Sequence, residues 1–180
     1  MIDLQLHTSD SDGTMDWNDV LIQCRQMGLT AFAITDHDTI VRQAEIKEWA
    51  KNNRVMAIAG IELSTTENDQ TVHLLGYFLE GPLEKLETKL VYLRKARDAR
   101  NKKIISKLRQ YKFDVTDDDL KKVAGNATVG RPHIARLLLE KGHVQSIKEA
   151  FDRFLSIDGA AYFPKEEVPL REGIDLLHAA

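Results

Sequence analysis

The chain has 180 residues, 43% hydrophobic and 29% charged, with a net charge of −3, which describes a globular protein with one sizeable core and excludes a disordered chain. The single cysteine, Cys24, excludes disulfides within the chain, and no run of about 18 apolar residues or signal-like start indicates membrane insertion or export, so a cytoplasmic location is the expectation. The slight negative charge argues against a general nucleic-acid-binding protein.

The first element is a short run, Asp3 to Leu6, that ends in His7-Thr8-Ser9-Asp10-Ser11-Asp12-Gly13. A strand placed there delivers nitrogen and oxygen donors into one mouth of a sheet or barrel, where α/β enzymes keep their chemistry. Asp16 then caps a helix in which Val20, Cys24 and Met27 share a face and Gly28 follows the last turn. Ala31 to Thr35 reads as a buried strand ending in Asp36-His37-Asp38, and Ile40 to Lys51 reads as a second helix. Val55 to Ile61 is a third strand and ends in Glu62.

The order is therefore βαβαβ, which builds a parallel sheet with right-handed crossovers. Parallel neighbours present their ends on one side, so Gln5, His7, His37 and Glu62 can converge although they are far apart in sequence. After the turn residues Glu67-Asn68-Asp69-Gln70, the extended run Thr71 to Phe78 carries His73, a further imidazole for the same place.

Beyond the linker Glu80-Gly81-Pro82, the spacing predicts a long helix from about Leu83 to Tyr111. Its second half is crowded with Arg94, Lys95, Arg97, Arg100, Lys102, Lys103, Lys107, Arg109 and Lys112, opposed there by Asp98. Such a run is either a solvated face or a guide for phosphate or RNA. Thr116 with Asp119 and Ser146 with Glu149 are capping pairs, and Pro132 suits a first helical turn that Gly142 would end. Arg131 and His133 flank Pro132 at a helix start, where N–H groups favour anions, so they either dock a phosphate or serve as an ion-pair partner and a cap. Lys165 is a candidate of the same kind. Ala161 to Pro164 returns the chain, and Leu170, Ile174 and Leu177 share a last helical face.

These motifs in order resemble one family. Asp-Leu-x-x-His-Thr with Ser-Asp-Gly, Thr35-Asp36-His37-Asp38-Thr39, Gly60-Ile61-Glu62 and His73-Leu74-Leu75-Gly76-Tyr77 are similar to the polymerase and histidinol phosphatase (PHP) metal-dependent phosphoesterases. Val129 to Ala135 and Ala150 to Leu155 resemble the branch that includes hydrolases of nucleoside bisphosphates and short RNA ends.

The resemblance implies an α/β fold, a partial distorted (β/α)7 TIM-like barrel with a helical insertion: residues 1–82 the first part of the barrel, 83–157 the insertion, and 158–180 the return. It makes His7, Asp12, His37, Glu62 and His73 metal ligands, with Gln5, which stands where the family has the first histidine of its His-x-His motif, offering a carbonyl oxygen as a weaker ligand. It implies up to three divalent ions (Mn²⁺, Zn²⁺, Fe²⁺ or Mg²⁺), with Asp10, Asp36 and Asp38 orienting imidazoles.

The implied reaction is hydrolysis of nucleotide phosphomonoesters, nucleoside 3′,5′-bisphosphates or RNA ends, by a metal-activated water, with Arg131, His133 and Lys165 binding substrate. The implied partners are a small phosphorylated nucleotide or short RNA, with no membrane and no DNA-specific contact. The family continues into Ala-His-Pro and Asp-x-His segments that supply further ligands, so this chain reads as a shortened member. The alternatives are a catalytically inactive PHP-like domain with a regulatory role and an RNA-binding module that uses the basic helix.

Overall fold

The computed structural model describes residues 1–125 and 129–180. The chain divides into two compact units, one made of Met1–Leu93 with Glu167–Ala180 and the other of Arg94–Glu166.

The first unit is α/β. Its strands are β1 (Ile2–Leu6), β2 (Ala31–Ile34), β3 (Met56–Glu67), β4 (Gln70–Tyr77) and the two-residue β5 (Val168–Pro169), with α1 (Trp17–Gln26), α2 (Gln43–Asn53), the start of α3 (Glu84–Gln110) and α7 (Leu170–His178). β1, β2 and β3 are parallel neighbours, Phe32 facing Asp3 on one side and Ala57 on the other. β2 is buried along its whole length, as its unbroken Ala-Phe-Ala-Ile run requires of a central parallel strand. Phe32, Leu21, Ile34 and Ile46 are almost fully shielded between β2, α1 and α2. Each such side chain contributes about 1.5–3 kcal/mol by leaving water.

Two elements differ from the sequence reading. The second helix starts at Gln43 rather than Ile40, because Arg42 adopts the left-handed conformation (φ 74°, ψ 0°) and ends the approach to it. The third strand does not stop at Glu62 but runs on to Glu67 and folds back antiparallel as β4, with Ser64 opposite His73. Its polar residues tolerate burial because Ser64 is bonded to Asp38 and the Thr65 hydroxyl donates to the Val72 carbonyl at 2.7 Å. The hairpin turns on Asn68 and Asp69, both with positive φ (49° and 61°), the conformation that twists a two-residue loop to match its strands. Beyond the β2 pairing, the same edge of β3 carries a bridge from His37 to Glu62 and then β5, where Val168 faces Thr65.

The second unit is helical. It holds the rest of α3, α4 (Asp117–Ala124), α5 (Arg131–Glu140), α6 (Ile147–Ala150) and a π-helical turn, Phe151–Leu155. Ile104, Leu108, Ile134, Leu138 and Leu155 form its core. Thr116 and Asp119 form a full capping box at α4. Lys141 donates to Asp119 at 2.7 Å, and that bond together with the Thr116 hydroxyl holds the Asp119 carboxyl down at about 2.

Among the described residues no helix is long and apolar enough to cross a membrane.

Candidate metal centre

The site grows out of the parallel order of β1, β2 and β3. Each of these strands carries its donors on the same side: Gln5 and His7 from β1 and the residue after it, His37 after β2, and Glu62 within β3. β4 returns alongside β3 and adds His73.

Glu62 is the hub. Its side chain is 5% exposed, and its two oxygens meet three imidazoles: His7 Nε2 lies 3.0 Å from Oε2, His73 Nδ1 2.7 Å from Oε1 and His37 Nε2 3.9 Å from Oε1. Gln5 Nε2 donates to Oε2 at 3.2 Å. Asp12 stands on the open side, 3.3 Å from His7 Nδ1 and 3.6 Å from His37 Nε2. The rings of His7 and His37 are 4.9 Å apart and those of His37 and His73 4.8 Å apart. One donor atom from each of His7, His37 and Glu62 falls within 4.8 Å of the others.

Such a cluster needs a reason. Three imidazoles and two carboxylates around one point cannot all satisfy one another through hydrogen bonds, and His7 Nδ1 is indeed buried without a hydrogen-bond partner. Mixed imidazole and carboxylate donors suit a divalent cation. Burial pushes the His37 pKa below the usual imidazole value, against the opposing pull of Glu62 and Asp12. His37 therefore offers a neutral nitrogen at neutral pH, as ligation requires.

The neighbouring acids fasten the loops that carry the donors. Asp36, buried directly before His37, accepts the Thr8 N–H at 2.7 Å, the Thr8 hydroxyl at 2.7 Å and the Ser11 hydroxyl at 2.5 Å. It thus fastens the loop between His7 and Asp12 to the end of β2. Asp38 accepts the Ser64 N–H at 2.8 Å and its hydroxyl at 3.0 Å, tying the next loop to β3. Asp10 takes the Arg42 guanidinium at 3.3 Å. The loop also closes back on itself, for Gly13 donates to the Thr8 carbonyl and any Cβ there would sit 2.6 Å from the His7 carbonyl oxygen. Thr8, Ser11 and Ser64 were missed as functional residues because a hydroxyl in a short motif gives no hint of a partner some 25 residues away.

The remaining candidates lie in the helical unit. Arg131 opens α5, donates from Nη1 to the Leu155 carbonyl at 3.1 Å and lies over the Tyr162 ring at 5.7 Å. His133 Nδ1 accepts the Gly130 N–H at 3.1 Å, a capping bond. Lys165 is half-buried in the segment before β5. Of the basic run, Arg100 points inward at 7% exposure and is no surface cation.

The family model described as PHP domain matches residues 3–163. A 5′-3′ exoribonuclease of Haemophilus influenzae is 29% identical over 99% of this chain and 65% of its own length. A 3′,5′-nucleoside bisphosphate phosphatase of Chromobacterium violaceum is 24% identical over 96% of this chain and 61% of its own. Among solved structures, a metal-dependent phosphoesterase of Bifidobacterium adolescentis superposes with a TM-score of 0.87 at 30% identity, over 99% of this chain and 63% of that one. The chain thus spans less than two thirds of the length of these relatives.

Proposed function

This chain belongs to the PHP domain family, and we propose from that premise that it forms the metal-holding face of a metal-dependent phosphoesterase that hydrolyses nucleotide phosphomonoesters, either nucleoside 3′,5′-bisphosphates or RNA ends. The observation that carries the reading is the buried Glu62 carboxylate with three imidazoles around it and an unsatisfied His7 Nδ1.

In this reading His7, His37 and Glu62 hold the ion, and Asp12 and His73 add donors at the open edge. Mn²⁺, Zn²⁺, Fe²⁺ and Mg²⁺ all accept such mixed ligation, up to three ions in a complete barrel. Divalent ions bound there would lower the pKa of a water and neutralise phosphoryl oxygens as charge develops on them.

The chain's own part is placement. Glu62 fixes the imidazoles from below, Asp36 and Asp38 keep the loops at the required separation, and His37 keeps its lone pair unprotonated. Arg131, with its fixed fork of donors, is proposed to bind a substrate phosphate together with His133 and Lys165. The relatives named as an exoribonuclease and as a bisphosphate phosphatase support the choice of substrate class.

Gln5 favours a second reading. Its amide nitrogen, not its carbonyl, faces Glu62, so the site holds a donor where ligation wants an acceptor, consistent with a catalytically silent domain. Assay of phosphate release from a nucleoside 3′,5′-bisphosphate, and of nucleotide release from 5′-phosphorylated RNA, decides between them. We expect Mn²⁺-dependent turnover that chelation abolishes and that Glu62→Gln lowers by more than about 100-fold. Turnover indifferent to chelation would contradict the proposal, and metal binding without turnover would establish the silent domain.

A further inference from the structure

The two units carry opposite charge. Arg94–Glu166 holds 17 Lys and Arg against 10 Asp and Glu, a net of +7, whereas the remaining residues hold 8 against 18, a net of −10. A whole-chain charge of −3 therefore conceals one strongly basic unit. Asymmetry of that size is the electrostatic footprint of a polyanionic partner.

The positive charge is densest on the second half of α3. One side of that helix is buried through Arg100, Asn101, Ile104, Ile105 and Leu108. The opposite side exposes Lys95, Lys102, Lys103 and Arg109, separated by the uncharged Ala99, Ser106 and Gln110. Lys95, Lys102 and Arg109 recur every seven residues, which sets them along one stripe about 10 Å apart at the helical rise per residue. Among the described residues none of these four cations has an ion-pair partner. Asp98, on the flank of the helix, and Asp117 and Asp118 line a cavity of about 570 Å³ together with Lys102 and Arg109. Asp118 is already engaged by Lys121 at 3.6 Å. Tyr111, two residues after Arg109, belongs to the packed side of the helix, its ring edge-on to Phe154 at 6.1 Å, and takes no part in the stripe.

A solvated helix face needs neither a net +7 unit nor a row of unpaired cations with neutral spacers. We infer that this face of the helical unit docks single-stranded RNA through its phosphates. The choice of RNA among polyanions rests on the proposed function above; the presence of a polyanion site does not. A narrow row of cations on one helix tracks the phosphates of a single strand.

The test is fluorescence anisotropy with an unstructured RNA of about twelve nucleotides, in chelator so that the metal centre takes no part. With four phosphates engaged, log K falls against log salt with a slope of about −3, roughly fifty-fold between 50 and 200 mM. The quadruple variant Lys95→Ala, Lys102→Ala, Lys103→Ala, Arg109→Ala flattens the slope by about that amount, while Lys51→Ala, exposed in the acidic unit, leaves it unchanged. Mononucleotide hydrolysis stays at the parent rate in the quadruple variant, which separates this surface from the metal centre. No binding at low salt, or an unchanged slope in the quadruple variant, would overturn the inference. Equal competition by poly-glutamate of matched charge would overturn the assignment to RNA. Since binding is read without metal or turnover, loss of the hydrolytic reading is recognisable separately.

Discussion

At the scale of the residue, the cluster depends on side chains that hold its loops in place. Asp36 gathers three donors from Thr8 and Ser11 into one buried carboxylate, and the loop it holds is the one that separates His7 from Asp12. Removing it frees that loop and leaves the buried Thr8 N–H without its acceptor. We expect Asp36→Ala to weaken Mn²⁺ binding, followed by calorimetric titration, by about 10- to 100-fold. Asp36→Asn keeps an oxygen for Thr8 N–H and Ser11 and should recover most of the affinity, which a general packing role would not explain. Equal affinity in Asp36→Ala and the parent would show that the loop needs no fastening.

At the scale of the element, the sequence was informative where periodicity and burial agree. Ala31–Ile34 is apolar on both faces and is a central strand, and Asp16, Thr116 and Ser146 cap the helices that begin after them. It was less informative where tertiary bonds override local character. Nothing local says that Ser64 and Thr65 continue a buried strand, because the bonds that permit it come from Asp38 and from Val72 across the hairpin. Similarly, the left-handed Arg42 delays α2 by three residues from a pattern that reads as helix. The hairpin that carries His73 turns on two residues with positive φ, which glycine adopts without strain. Asp69→Gly should therefore raise stability by about 0.5–1 kcal/mol, seen as a higher midpoint in urea. A lower midpoint would show that the Asp69 side chain contributes more than its backbone costs.

At the scale of the whole molecule, the division into an acidic unit that gathers imidazoles and carboxylates and a basic helical unit was only half legible. The approach of His7, His37 and Glu62 follows from three parallel strands, so strand order alone brings these residues to one side of the sheet. The charge separation was hidden by a net charge close to neutral and by the inward-facing Arg100, which made the basic run look more uniform than its exposed stripe is. The central claim remains that these imidazoles share a cation around Glu62. It is tested most directly by pulsed electron paramagnetic resonance of the protein with added Mn²⁺. The account predicts modulation from directly bound imidazole nitrogen that weakens in His7→Ala and in His37→Ala, with loss of the bound signal in Glu62→Gln. A bound Mn²⁺ signal without nitrogen coupling, unchanged by all three substitutions, would contradict it.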